Sequence, residues 1–233
     1  MPGRFRQLAT VPGARRIVRS RVAILMKEPG WDMTEEPQRA GAMASPGGQS
    51  RRAIMREARA LFGREGYASV SIDRILQGLN LTKGSFYHHF PDKKALFKAV
   101  VAEVQQDVAR QAERAGAGQA ADRALLDICR SIFRELQKAD AMRIICRDAG
   151  SVLTASECSA IDEQHVGSVL GEALRRAQTE GVLSDRFDAD ALIRTITGAI
   201  YQTLEWGWGD ETGQRIANGE FILLEMLRSL MRH

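Results

Sequence analysis

From Ser50 onward the apolar residues recur at helical spacing. Ile54, Ala58, Leu61 and Phe62 stand at i, i+4, i+7 and i+8, with Arg51, Arg52, Arg56, Arg59 and Arg64 turned outward, which predicts a helix ending near Gly66. Ser71 precedes Ile72, Ile75, Leu76 and Leu79 and reads as the N-cap of a short second helix. Asn80 follows, one of the few non-glycine residues that tolerate left-handed backbone angles, so it suits a tight turn. Thr82 then caps a third helix over Lys83 to His89. Pro91-Asp92 opens a fourth, running to about Ala115 through Leu96, Phe97, Val100, Val101, Val104 and Val108.

Gly116 to Ala121 is a break of small residues, and beyond it the period stays helical: Asp122–Lys138, Ala141–Leu153, Ser156–Glu180, Asp188–Gly207 and Glu211–Met231. No strand-like alternation with hairpin signals occurs, and nothing repeats at a solenoid period. The expected fold class is all-α: an N-terminal three-helix unit over residues 49–115, including its linking helix, joined to a helical domain over 116–233. Residues 1–48 form an extension, expected to be mostly disordered, with one short helix around Ala14 to Lys27.

Charge sharpens this division. Residues 1–48 hold eight Lys/Arg against four acids, residues 49–115 twelve against seven, and residues 116–233 thirteen against eighteen. A basic front on an acidic back is the distribution of a nucleic-acid-reading domain attached to a domain with another task. The extension has no acid before Glu28, which fits a targeting peptide, a basic arm that follows DNA phosphates, or translated sequence upstream of a start at Met43; the last two are preferred. Its apolar run Val22 to Met26 is too short for a signal-peptide core or a membrane span, and Arg194 and Glu205 interrupt the apolar stretch Leu192 to Trp206. Cys129, Cys146 and Cys158 lack CxxC spacing and read as small buried hydrophobes in a reducing compartment, so a cytoplasmic location is expected.

The stretch LTKGSFYHHF, Leu81 to Phe90, carries the candidate chemistry. Two short helices around a tight turn, the second ending in aromatics, make a helix-turn-helix whose second helix enters the major groove. Thr82 and the first-turn amides, unobstructed at Gly84, can bond a phosphate, and Lys83 and Ser85 sit at the end that approaches base edges. Phe86 and Phe90 point inward as anchors. Tyr87 and His88 lie on a different face and can reach phosphates or bases.

The segments ALFGREGYASVSIDRIL and LTKGSFYHHFPDKKALF, at their spacing, resemble the DNA-binding domain of TetR-family transcriptional regulators over about residues 51–100. The resemblance implies that Tyr87 and Lys93 grip the DNA backbone and that Thr82, Lys83, Ser85 and His88 read or flank bases. The DNA-contacting set expected is therefore Ser71, Thr82, Lys83, Gly84, Ser85, Tyr87, His88 and Lys93. It further implies an all-helical homodimer whose C-terminal domain binds a small-molecule effector and releases an operator in double-stranded DNA. Two positions depart from the family's habit: Leu76 stands where alanine is common and Asn80 where glycine is. Leu76 can alter the angle between the two helices, whereas Asn80 keeps the turn.

Other residues have blander alternatives. His88-His89 is not a metal pair, since helical neighbours point about 100° apart and no other ligand completes a set. His165, on the apolar stripe of the expected long helix, reads first as a core histidine and second as an effector contact. Arg147 and Asp148 either reach a cavity or pair at the surface. The last two helices are apolar over more than one stripe, Leu192, Ile196, Ala199, Ile200, Thr203 and Leu204, then Phe221, Leu223, Leu224, Leu227, Leu230 and Met231, which a four-helix dimer interface would bury; Trp206 and Trp208 cap it or line the cavity. Helical phase nominates Cys129, Phe133, Met142, Ile145, Cys146, His165 and Trp206 as ligand-lining. No HExxH, phosphate loop or GxSxG occurs, so no enzyme, cofactor or metal is expected. The rival functions are an activator or ligand-independent regulator, or a helical adaptor docking on a membrane or an acidic partner.

Overall fold

The computed structural model describes residues 46–231, and the expected extension up to position 45 lies outside them. Within that span the chain is helical: α1 (Pro46–Glu65), α2 (Ile72–Leu76), α3 (Lys83–His89), α4 (Lys93–Gly116), α5 (Ala121–Leu136), a composite α6, α7 (Ala155–Gln164), α8 (Val166–Thr179), α9 (Ala189–Gly207) and α10 (Gln214–Leu230). Among the described residues there is no strand, only an isolated antiparallel bridge between Leu183 and Met231. No helix among them is long and apolar enough to cross a membrane. The all-α expectation holds. α1 starts ahead of the expected Ser50, at Pro46, a residue whose fixed φ and missing N–H suit the first helical position.

Two elements differ from the sequence reading. The expected helix Ser156–Glu180 is broken at His165, whose φ of −118° and ψ of −87° lie outside the helical region. Gly167 eases the break: a Cβ there would stand 3.1 Å from the carbonyl oxygen of Asp162, tighter than ordinary contact. α6 is not a plain α-helix either. It runs as α over Ala139–Ala141, as a π-helix over Met142–Asp148, and as α again over Ala149–Val152. π-turns are rare and often stand where a side chain must be re-aimed.

The apolar stripes bury into two clusters. One holds Ile54, Leu61, Phe62, Ile75, Leu76, Phe86, Phe90, Phe97 and Val100, and it is completed by Ala141, Ile144 and Ala149 of α6, Leu153 just past its end and Ile161 of α7. The other lies between the C-terminal half of α4 and α5, α8, α9 and α10, around Leu125, Phe133, Leu170 and Leu204. Leu76, the family-atypical residue, is buried in the first. α4 runs through both clusters, so its two ends report to different cores. Arg59, expected to point outward, is instead half-buried and ties α1 to its neighbours: its guanidinium donates to Asp107 and Glu103 of α4 and, at 3.0 Å, to Asp140 at the start of α6. Three carboxylates around one fork of five donors explain why it turns in rather than out. They also hold its pKa above the ordinary value despite the opposing effect of burial.

A polar chain crosses the interior where α4, α7 and α9 meet. Gln105 Nε2 donates to the Tyr201 hydroxyl at 2.8 Å, and that hydroxyl donates to Asp162 Oδ1. Gln105 Oε1 is buried and has no partner. Burial lifts Asp162 from its ordinary 3.8 to about 6, with the Tyr201 hydrogen bond opposing the shift. The sign of its effect on stability follows from linkage. Between pH 3.8 and about 6 the folded chain holds a proton that the unfolded chain has lost, so this group stabilises most at the acid end and its contribution disappears as pH rises through about 6. Thermal unfolding followed across that window should therefore show a shallower decline with rising pH in Asp162→Asn than in the parent; parallel curves would refute the assignment.

Candidate nucleic-acid interface

The α2–turn–α3 unit is assembled from local chemistry. Ser71 Oγ accepts the Arg74 N–H at 3.1 Å and Thr82 Oγ1 accepts the Ser85 N–H at 3.2 Å, so both predicted N-caps are made. Asn80 has φ of +51°, the only described non-glycine residue in the left-handed region, and it turns the chain between the helices. A helix of seven residues has little stability alone, so tertiary contact must hold α3. Phe86 supplies it, with no exposed surface and ring contacts to Tyr87 at 5.3 Å and Phe90 at 5.9 Å. Phe90 is buried just past the helix end, with the Arg51 guanidinium over its ring at 5.1 Å.

With Phe86 inside, the opposite side of α3 faces outward. Thr82, Lys83, Gly84, Tyr87 and His88 are exposed, as is Ser71, and Ser85 is half-buried. Tyr87 keeps 54% of its surface open, which is unusual for a ring of that size. Helical phase puts Gly84, Tyr87 and His88 on the side of α3 away from Phe86.

Lys93 is placed differently from its companions. Its ammonium donates to the carbonyls of Tyr67 at 2.9 Å and Val70 at 2.8 Å and lies 4.1 Å from the centre of the Tyr67 ring. Partial burial lowers its pKa. It fastens the loop between α1 and α2 to the start of α4 and keeps one donor in hand. Asp92 caps α4 through the Ala95 N–H at 2.7 Å. Sequence reasoning also missed Asp73. Its carboxylate pairs with Lys83 at 2.9 Å and raises the lysine's pKa, but both side chains are mostly exposed, so a stronger anion can displace it. The signal was present, since an acid on α2 faces the first turn of α3 across a short turn.

Five of the seven ligand-lining candidates meet in the C-terminal cluster, Cys129, Phe133 and Met142 within it and Ile145 and Cys146 packed against it, whereas His165 and Trp206 lie apart. Cys129 and Phe133 are sealed in the C-terminal core, where burial pushes the Cys129 thiol up to about 12. Ile145 and Cys146 pack on the clusters, and His165 sits at the α7–α8 break, not on a continuous stripe. Trp206 is exposed, with the Arg215 guanidinium over it at 5.6 Å. Met142 alone of the seven borders a pocket of about 480 Å³, lined also by Gly63, Arg64, Gln137, Ala139, Arg143, Gly207, Trp208 and Gly209. Arg147 and Asp148 do not pair with each other: Asp148 accepts the Tyr67 N–H at 2.8 Å, and Arg147 lies 5.1 Å from the Trp208 ring centre.

The stripe of α9 and α10 divides by face. Ile196, Ile200, Leu204, Leu223, Leu224 and Leu227 fill the core of this chain, whereas Phe221, with the unpredicted Ile222 and Met226, stays more than half exposed.

Comparison with known proteins places these features. Residues 54–100 match the family described as bacterial regulatory proteins, tetR family, and residues 122–230 match the family described as tetracyclin repressor-like, C-terminal domain. The HTH-type transcriptional repressor AcnR of Corynebacterium efficiens is 28% identical over 147 residues, covering 63% of this chain and 73% of that protein. The transposon Tn10 TetC protein of Escherichia coli is 50% identical over 46 residues, 20% of this chain and 23% of its own length. The crystal structure of a TetR-family transcriptional regulator from Pectobacterium atrosepticum superposes with a TM-score of 0.69 at 25% identity, over 82% of this chain and 99% of that one.

The turn can be tested by itself. Asn80→Val should cost about 1–2 kcal/mol, since a β-branched side chain clashes in the left-handed region, while Asn80→Gly should be close to neutral. Chemical denaturation of both variants measures it, and equal stability for Val and the parent would contradict the turn geometry.

Proposed function

Because the chain belongs to the TetR family of DNA-binding transcriptional regulators, we propose that it is a homodimeric repressor that two α3 helices hold on a near-palindromic operator and that a small-molecule effector releases. The observation that carries the proposal is the division of α3, with Phe86 fully buried behind an outer side of Thr82, Lys83, Gly84, Tyr87 and His88. In this reading Lys83 leaves Asp73 for a base edge or phosphate, Tyr87 and Thr82 bond backbone phosphates, and Ser85 and His88 flank the bases. Ser71 meets the phosphate next to α2. Lys93 acts through its grip on the α1–α2 loop and offers its remaining donor to the DNA. The protein is thus a binding protein of the cytoplasm and not an enzyme, with residues 49–115 as reader and 116–233 as sensor.

Dimerisation is assigned to α9 and α10, supported by the exposed Phe221, Ile222 and Met226, an apolar group that a lone protomer leaves in water. A dimer sets the two α3 helices about 34–36 Å apart, one turn of duplex. Release follows when α4, which is shared between both cores, changes its tilt and with it that separation; couplings of about 1–3 kcal/mol are usual.

Two measurements test this. With an operator obtained by in vitro selection from random duplexes, fluorescence anisotropy should show Lys83→Ala losing about 1–3 kcal/mol of affinity and Tyr87→Phe about 1 kcal/mol, with the parent's affinity falling steeply as salt rises. Unchanged binding in both variants would sink the assignment of α3. Sedimentation velocity of Phe221→Glu combined with Met226→Glu should show a folded monomer where the parent is a dimer. A variant that remains dimeric would remove α9 and α10 from the interface.

A further inference from the structure

We propose that the pocket between the end of α1, the π-turn of α6 and the end of α9 is a binding site for a small organic carboxylate, held by Arg143 in its wall, with Arg147 behind the same Trp208 ring adding positive charge. The two guanidiniums lie 6.0 and 5.1 Å from the centre of the same ring, that of Trp208. Spaced four apart on the widened turn, they stand on one side of α6 and repel one another. Among the described residues neither has a carboxylate within ion-pair distance. The nearby acids are engaged elsewhere: Asp140 with Arg59 at 3.0 Å and Asp148 with the Tyr67 N–H at 2.8 Å. The contrast with Arg59, equally half-buried but surrounded by three carboxylates, is direct. A half-buried cation beside a second one, facing a cavity, is completed by an anion from solution, and the planar fork selects a carboxylate.

The space fits such a ligand. The pocket is an open depression of about 480 Å³, so a ligand there keeps part of its surface in water. Ala139, Met142, Gly207 and Trp208 offer a short apolar body a wall beside the charged end. The site is also distinct from the interior polar chain of Gln105, Tyr201 and Asp162. It touches the reader directly, since Gly63 and Arg64 of α1 form its wall. A Cβ on Gly66 would stand 3.1 Å from Arg143 Nη1, so that guanidinium lies against the backbone leading into Tyr67 and the loop stapled by Lys93. A carboxylate that draws Arg143 into the pocket therefore shifts the support of α2 and α3. This consequence rests on the regulator reading above, whereas the site itself does not.

Isothermal titration of the full chain with benzoate and succinate tests the site, with benzamide and succinamide as neutral counterparts. Saturable binding of at least one carboxylate, at least about tenfold tighter than its amide, is expected. Arg143→Gln should weaken it by about tenfold or more, and the exposed Arg147→Gln, which leaves the core untouched, by a few-fold. Tyr201→Phe, in the bundle interior, should bind the carboxylate like the parent. No saturable heat from either acid up to about 10 mM, or equal binding of acid and amide, overturns the proposal. So does binding that survives both arginine changes but falls in Tyr201→Phe, which would move the site into the bundle. Operator anisotropy of the parent, run beside the titration, separates the two readings: failure to bind any duplex with carboxylate binding intact sinks the regulator and spares the site.

Discussion

The outward face of α3 exists because Phe86 is buried. Seven residues cannot hold a helix in water, because nucleating the first turn costs more than so few hydrogen bonds return. Burying a phenylalanine contributes about 1.5–3 kcal/mol, enough to fix so short an element against its neighbours. The caps at Ser71 and Thr82 and the left-handed Asn80 then set the direction in which α3 leaves the turn. Lys83, Tyr87 and His88 stay in solvent as the remainder of a helix whose inner stripe is already committed.

That reader does not stand on its own core. Ala141, Ile144 and Ala149 of α6, Leu153 just past its end and Ile161 of α7 lie outside the reader, yet they complete the cluster that buries Phe86. Polar contacts repeat the same link, with Arg59 reaching Asp140 and Asp148 holding the Tyr67 N–H. α6 thus touches the loop in front of α2 both through packed side chains and through hydrogen bonds. The π-turn carries Arg143 and Arg147 toward Trp208 and Ile144 into the core.

Charge along the chain anticipated a basic front, and the structure shows how that charge is allotted. Arg59 and Lys93 are consumed by internal contacts. Lys83 is only loosely held by Asp73, and Arg52 and Arg56 of α1 are exposed beside it in the sequence count. A net positive count therefore overstates the cations free to meet phosphate, and which ones remain is a matter of three-dimensional neighbours.

The sequence by itself determined where α2 and α3 start and the turn between them, because caps, left-handed residues and the apolar period are local, and each acts on its own few residues of backbone. It likewise marked Phe86 and Phe90 as inward and Tyr87 and His88 as outward, since helical phase assigns faces without knowing the partner. Tertiary structure alone decided the rest. Arg59 turned in because three carboxylates from two other helices converge on it, His165 left its helix where Gly167 packs close to Asp162, and the apolar stripes of α9 and α10 divided between core and surface because α5 and α8 cover only one side. The pocket was out of reach for the same reason: its walls come from residues 63–64, 137–143 and 207–209, and only the folded chain brings such distant stretches within a few ångströms.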